Sequence, residues 1–192
     1  MGTMKSWTIT AVAAALLAGC ATAPPPKVAV AVPAKPAASE LPYQWTTGAA
    51  PQAYQDLVAG FGRNGLKPGE YLWASEIPAG ETRVLIDRLI QTAYVYRGDK
   101  LVGAASVSTA KQGHITPLGY WSVLEKRPFY RSKKYDNAAM PWMQRIDEYG
   151  IALHGGGTPG YPESHGCIHL PMKFAEKLYG LTKVGSKVVI EG

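Results

Sequence analysis

The sequence predicts a mainly β domain, a mixed β-sandwich or barrel-like arrangement with a few short helices. Three observations point there. From Thr82 onward, short runs rich in Val, Ile, Tyr and Thr recur between Gly, Pro and Asp punctuation. Helical spacing is confined to two segments, one after Pro51 and one after Pro171. The 192 residues, 46% hydrophobic, suffice for one core and show no internal repeat.

The N-terminal elements read as targeting rather than fold. Residues 1–19 have the form of an export signal: Lys5 supplies positive charge, and Ala11 to Ala18 is an apolar stretch too short to span a bilayer. Met4-Lys5 is an alternative start. Leu17-Ala18-Gly19-Cys20 looks like a bacterial lipobox, which predicts lipid on Cys20, a membrane anchor, and a periplasm-facing place in the cell envelope. Ala21 after that cysteine resembles outer-membrane sorting in Gram-negative lipoproteins. Residues 20–42 are mostly Ala, Pro and Val and predict a semi-extended tether, roughly 60 Å long at about 3.1 Å per residue.

Residues 43–79 are expected to form a small extension. Tyr54, Leu57, Val58 and Phe61 repeat at helical spacing, and Gly62 or Gly65 can end the helix. The domain proper is expected over 80–192. Thr82–Ile86 and Thr92–Tyr96 read as strands. Arg97-Gly98-Asp99-Lys100 reads as a turn, and Leu101–Thr109 as the returning strand. Tyr120–Leu124, Gly150–His154 and Lys187–Ile190 complete the strands. Pro171–Tyr179 reads as a helix with proline at its first position and Gly180 past its end.

Reactive side chains concentrate in one segment. Cys167 lies in Ser164-His165-Gly166-Cys167, and His154 lies thirteen positions upstream in Leu153-His154-Gly155-Gly156-Gly157. If Cys20 carries lipid, Cys167 has no intramolecular partner, which in an exported chain suggests a reactive thiol or an intermolecular bridge. A Cys20–Cys167 disulfide is the alternative. A thiol is a weak nucleophile until a base takes its proton, and imidazole is the usual base near neutral pH. An extended 164–170 would set His165, Cys167 and His169 on one face. Gly166 would free amide N–H groups for an oxyanion, and Gly155–Gly157 would let His154 swing in uncrowded. A carbonyl near Gly155 could hold the second imidazole nitrogen and fix the tautomer.

His154-Gly155 followed by Ser164-His165-Gly166-Cys167-Ile168 resembles the L,D-transpeptidase catalytic domain. Val84-Leu85-Ile86-Asp87, Tyr94-Val95-Tyr96-Arg97, Val107-Ser108-Thr109 and Gly113-His114-Ile115-Thr116-Pro117-Leu118-Gly119 extend the resemblance over about 80–192. It implies a β-sandwich enzyme acting on peptidoglycan stem peptides by acyl transfer, with no cofactor and no metal. It also implies Cys167 as nucleophile and His154 as base and acid, held by the Gly155 carbonyl, with His165, Gly166 and the Cys167 amide shaping the oxyanion site. His154 is then expected to raise the thiolate fraction of Cys167.

Ser164 is expected to brace the loop or meet substrate; Tyr161 and Trp142, with Tyr130, could line a groove for substrate, with core packing, the commoner place for aromatics in a β domain, as the alternative. The acceptor could be a second stem, a wall-attached protein or water. Two features depart from the family pattern. Only nine residues separate His154 from Ser164, and His169, a candidate substrate-binding residue, stands where relatives commonly carry Arg or Asn; being only partly charged near neutral pH, it would hold an anionic substrate less well as pH rises.

Other readings remain. Three imidazoles and a thiolate could bind zinc, though the spacing fits no common zinc pattern. A non-catalytic wall-binding lipoprotein could keep the fold. His114 is expected to be structural or exposed, and Met140–Met143 to form a lid. The net charge of +6 suits an anionic polymer or membrane surface. No basic run interleaved with aromatics suggests nucleic-acid binding.

Overall fold

The computed structural model describes Met1 and residues 48–192. The signal over 1–19 apart from Met1, Cys20, the tether over 20–42 and the first residues of the 43–79 extension lie outside the described residues. Among the described residues no helix is long and apolar enough to cross a membrane.

Helix α1 (Ala50–Phe61) ends at Gly62, whose left-handed backbone (φ 65°) turns its N–H onto the Val58 carbonyl. Its buried stripe is Ala50, Ala53, Tyr54 and Leu57, one helical turn earlier than the sequence spacing suggested, and Val58 is exposed. Strand β1 (Tyr71–Trp73) follows. Strands β2 (Thr82–Asp87), β3 (Thr92–Arg97) and β4 (Lys100–Ser106) form an antiparallel meander, and β5 (Gly119–Ser122) follows in sequence. Strands β6 (Glu125–Arg127), β7 (Met143–Arg145), β8 (Ala152–Gly155) and β9 (Ile168–Leu170) make a second sheet. Helix α2 (Met172–Leu181) and strand β10 (Lys187–Glu191) close the order.

The larger sheet runs β1-β4-β3-β2-β10-β5, and the smaller β6-β7-β8-β9. The main core lies between them: Val84, Ile86, Val95, Val102, Val188 and Ile190 from the large sheet meet Leu153, Ile168 and Leu170, with Phe174, Ala175 and Leu178 of α2. The alternate residues Leu85, Tyr94, Tyr96, Leu101 and Val189 face the other way, onto Ala50, Ala53 and Leu57 of α1. Because both faces are covered, β2–β4 read as nearly unbroken apolar runs. Burying Leu57 alone contributes roughly 2 kcal/mol.

The mainly β, two-layer class agrees with the sequence reading. Some bounds differ. β1 pairs with β4, so residues 71–73 form the edge of the large sheet. The β4 run stops at Ser106, and residues 108 and 110 make single bridges to His169 and Ser164. Pro171 caps α2 from outside, and the helix passes through Gly180 to Leu181.

Candidate active site

β8 and β9 are parallel neighbours, with Leu153 opposite Ile168 and His154 opposite His169. This pairing brings the two halves of the sequence motif onto one wall. His154, His165, Cys167 and His169 all line a single cleft of about 810 Å³, together with His114, Tyr130 and Tyr135.

His154 is 6% exposed, and its Nδ1 is 2.9 Å from the Gly155 carbonyl oxygen. A carbonyl can only accept, so Nδ1 carries the proton and Nε2 keeps its lone pair. Burial pushes the ring's pKa down to about 4; the Gly155 bond opposes the shift and nearby His169 adds to it.

Cys167 is a free, half-buried thiol beside Met140, Met143 and Ala152. Its Sγ lies 3.7 Å from the Gly150 carbonyl oxygen, to which S–H donates. Burial lifts the thiol above its ordinary value; the Ala152 N–H opposes that and the Asp147 carboxylate reinforces it. Among the described residues no hydrogen bond joins Sγ to the His154 ring. The expected thiolate enhancement is therefore not a property of this arrangement. Burial penalises both charges, so the resting pair is a neutral thiol and a neutral imidazole.

The loop before Cys167 bends rather than running extended, and only Ile168–Leu170 forms strand. Gly166 takes φ +136°, and a Cβ there would lie 2.6 Å from Ile151 Cδ1 and 3.0 Å from the Ile115 carbonyl oxygen. Two hydroxyls clamp the bend. Ser164 Oγ donates to the Cys167 carbonyl at 2.6 Å and accepts the Gly166 N–H at 3.1 Å. Thr116 Oγ1 donates to the Gly166 carbonyl at 2.7 Å and accepts the Ala110 N–H at 3.0 Å.

These contacts correct several expectations. Ser164 is 1% exposed, so it braces the loop and does not meet substrate. The Gly166 N–H is engaged by Ser164 and is not free for an oxyanion. The bend takes His165 off the shared face. Its ring stacks on Tyr135 with centroids 4.6 Å apart, meets His114 edge-on at 4.7 Å, and accepts from Lys111 Nζ at 3.0 Å through Nε2. His114 thus stands in the cleft wall. Trp142 and Tyr161 are not among the cleft residues. Trp142 packs on Tyr179 and Phe129, while Tyr161 is exposed and its carbonyl accepts from Ser108. Met140 and Met143 are buried, so 140–143 is floor and not lid.

The three glycines also do something other than expected. A Cβ on Gly155 would meet Met172 and Pro141; on Gly156 it would lie 3.0 Å from the His169 ring; on Gly157 it would lie 2.7 Å from Glu163 Oε1. They make room for neighbours, not for movement of His154. His169 packs edge-on to His154 with centroids 4.9 Å apart, and its Nδ1 is 3.8 Å from Glu163 Oε1. Burial holds His169 below its ordinary value, with the Glu163 carboxylate opposing. At neutral pH it is therefore mostly neutral, not the partly charged anchor for anions that its type suggests. Among the described residues no group of three His, Cys, Asp or Glu side chains converges to hold a metal ion. Thr116 and Glu163 were given no role from sequence. Glu163 directly precedes the Ser-His-Gly-Cys run, an acid beside a reactive motif, and Thr116 sits in the Thr-Pro segment.

The YkuD family, the L,D-transpeptidase catalytic domain, matches residues 81–190, and the chain belongs to that family. No curated protein matches it. Among solved structures it is similar to an L,D-transpeptidase from Mycobacterium smegmatis (20% identity, TM-score 0.54), covering 58% of this chain and 59% of that one. One from Stackebrandtia nassauensis gives 24% identity and TM-score 0.55, covering 77% and 68%. L,D-transpeptidase 3 from Mycobacterium tuberculosis, in complex with a faropenem-derived adduct, gives 19% and 0.54, covering 58% and 60%. The chain thus spans less than two thirds of the Mycobacterium smegmatis structure. At these identities the likeness concerns the fold.

Proposed function

We propose that the chain is a cysteine acyltransferase of peptidoglycan, an L,D-transpeptidase working from the envelope membrane. One observation carries this reading: a tautomer-fixed histidine on β8 and a cysteine in the bend that leads into the parallel neighbour β9 line the same cleft. The Cys167 side chain turns from the Gly150 carbonyl toward Nε2 of His154, which takes its proton as the sulfur attacks. The attacked carbonyl joins the L-centre of a diamino acid to the terminal D-Ala of a tetrapeptide stem. The C–N bond breaks, and His154 returns the proton to the departing D-Ala amine. The Cys167 N–H is the backbone donor for the oxyanion, since that of Gly166 is engaged. An amine acceptor, from a second stem or a wall-attached protein, then resolves the thioester. Resolution by water would make the enzyme a carboxypeptidase or a hydrolase that releases wall-attached protein.

The test mixes the full chain, solubilised in detergent, with a disaccharide-tetrapeptide and reads products by mass. Cross-linked or D-amino-acid-exchanged product is expected, with none from Cys167→Ala. A carbapenem should add its mass to the parent alone. A folded parent that does neither would favour a wall-binding module. The lipid anchor rests on Leu17-Ala18-Gly19-Cys20. In an expressing Gram-negative host, labelled fatty acid should enter the chain and be lost with Cys20→Ala; label in the variant would remove that assignment.

A further inference from the structure

Two of the three glycines after His154 open a bay that a second acid–base pair fills. The His169 ring lies against Gly156, where a Cβ would come within 3.0 Å of it, and the Glu163 carboxylate occupies the space a Cβ on Gly157 would need. His169 Nδ1 is buried and has no hydrogen-bond partner in this arrangement; Glu163 Oε1 lies 3.8 Å away, and the Gly157 backbone carbonyl also favours a proton on the ring. A buried ring nitrogen with a carboxylate a short side-chain rotation away is poised to become a paired one. The rest of the ring lines the cleft, and 22% of its side chain is exposed. With Nδ1 turned to the carboxylate, Nε2 is the nitrogen left to serve the cleft.

We propose that His169, positioned by Glu163, is a second catalytic base that takes the proton of the incoming acceptor amine, while His154 serves the departing amine. The inference rests on the acyl-transfer reading above. In the second half-reaction the amine nitrogen attacks the thioester carbon, a C–N bond forms, and the C–S bond breaks with its electrons leaving on sulfur. The nitrogen's surplus proton goes to His169 Nε2, and the Cys167 thiolate regains a proton through solvent. Attack makes that N–H strongly acidic, so a base beside an anion is suited to receive it. His154 lacks an anion and is more deeply buried. The titratable groups facing His169 are Glu163 behind it, His154 on the neighbouring strand and His165 in the preceding bend. Glu163 also supplies negative charge that would draw a cationic acceptor toward this side.

The experiment separates the two halves in the full chain. Acylation is read as the rate of carbapenem addition to Cys167. The acceptor step is read as exchange of D-methionine into a disaccharide-tetrapeptide. His169→Gln should leave acylation within about twofold of the parent and slow exchange at least tenfold at pH 7, in the range expected for loss of a positioned base. Added imidazole should restore exchange by His169→Ala, which a purely structural role would not allow. Glu163→Gln, at a half-exposed position, should fold and show a smaller loss in exchange alone. Equal slowing of both halves, or no slowing, would overturn the pair. If the parent forms neither adduct nor exchange product, the acyl-transfer reading fails first and the pair falls with it. If the parent does both and the variants match it, the pair alone fails.

Discussion

Cys167 and His154 are held as a neutral couple, and that has measurable consequences. The sulfur donates to the Gly150 carbonyl and is shifted upward by burial, so its thiolate is scarce at neutral pH. Iodoacetamide should therefore label Cys167 more slowly at pH 7 than a free thiol peptide, with labelling rising at a pH above that peptide's own midpoint. Rapid labelling at pH 7 would contradict the neutral pair. His154 gives a second expectation. Its pKa falls from the ordinary 6.5 in the unfolded chain to about 4 in the fold. Between those values the unfolded chain binds more protons, so the contribution is full above about 6.5 and is lost as pH falls through 4. The full shift corresponds to about 3 kcal/mol. His154→Gln should flatten the stability profile over that window in urea melts at stepped pH; an unchanged slope would mean the ring titrates normally. The motif made both residues legible, and the Gly155 carbonyl falls where it was expected. The sulfur's direction and the engagement of Gly166 by Ser164 were not legible. They depend on Gly150, Ala152 and Thr116, remote in sequence and brought near by strand pairing.

Among elements, α1 depends on a residue far from it. Its flanking Ala49 offers no side-chain cap. Glu191 at the end of β10 instead accepts from the Ala49 N–H at 2.9 Å and the Ala50 N–H at 2.8 Å. Glu191→Ala should cost about 1 kcal/mol through loss of the cap and of a favourable charge at the helix start. A thermal melt with unchanged Tm would show that water replaces it. No local pattern announces such a cap. The same reason explains which strands were readable. β2, β3 and β4 carry six or seven residues each, enough for β-branched and aromatic enrichment to show. β1, β6 and β7 have three each, too few for a period, and become strands because β4, β7 and β8 present edges to them. His165 was misplaced for a related reason: alternation assumes an extended run, and Gly166 ends it.

At the scale of the molecule, two sheets and α2 enclose the core, while α1 covers the far face of the larger sheet. The cleft opens on the smaller sheet, where β8 carries His154 and the bend leading into β9 carries Cys167. β10 follows every other strand in sequence yet lies inside the larger sheet, parallel to β2 and antiparallel to β5. While the ribosome has yet to add it, β2 has no neighbour on that side, β5 is stranded, and the helix capped by Glu191 lacks its anion. The larger sheet with this wiring can therefore close only once synthesis reaches those residues.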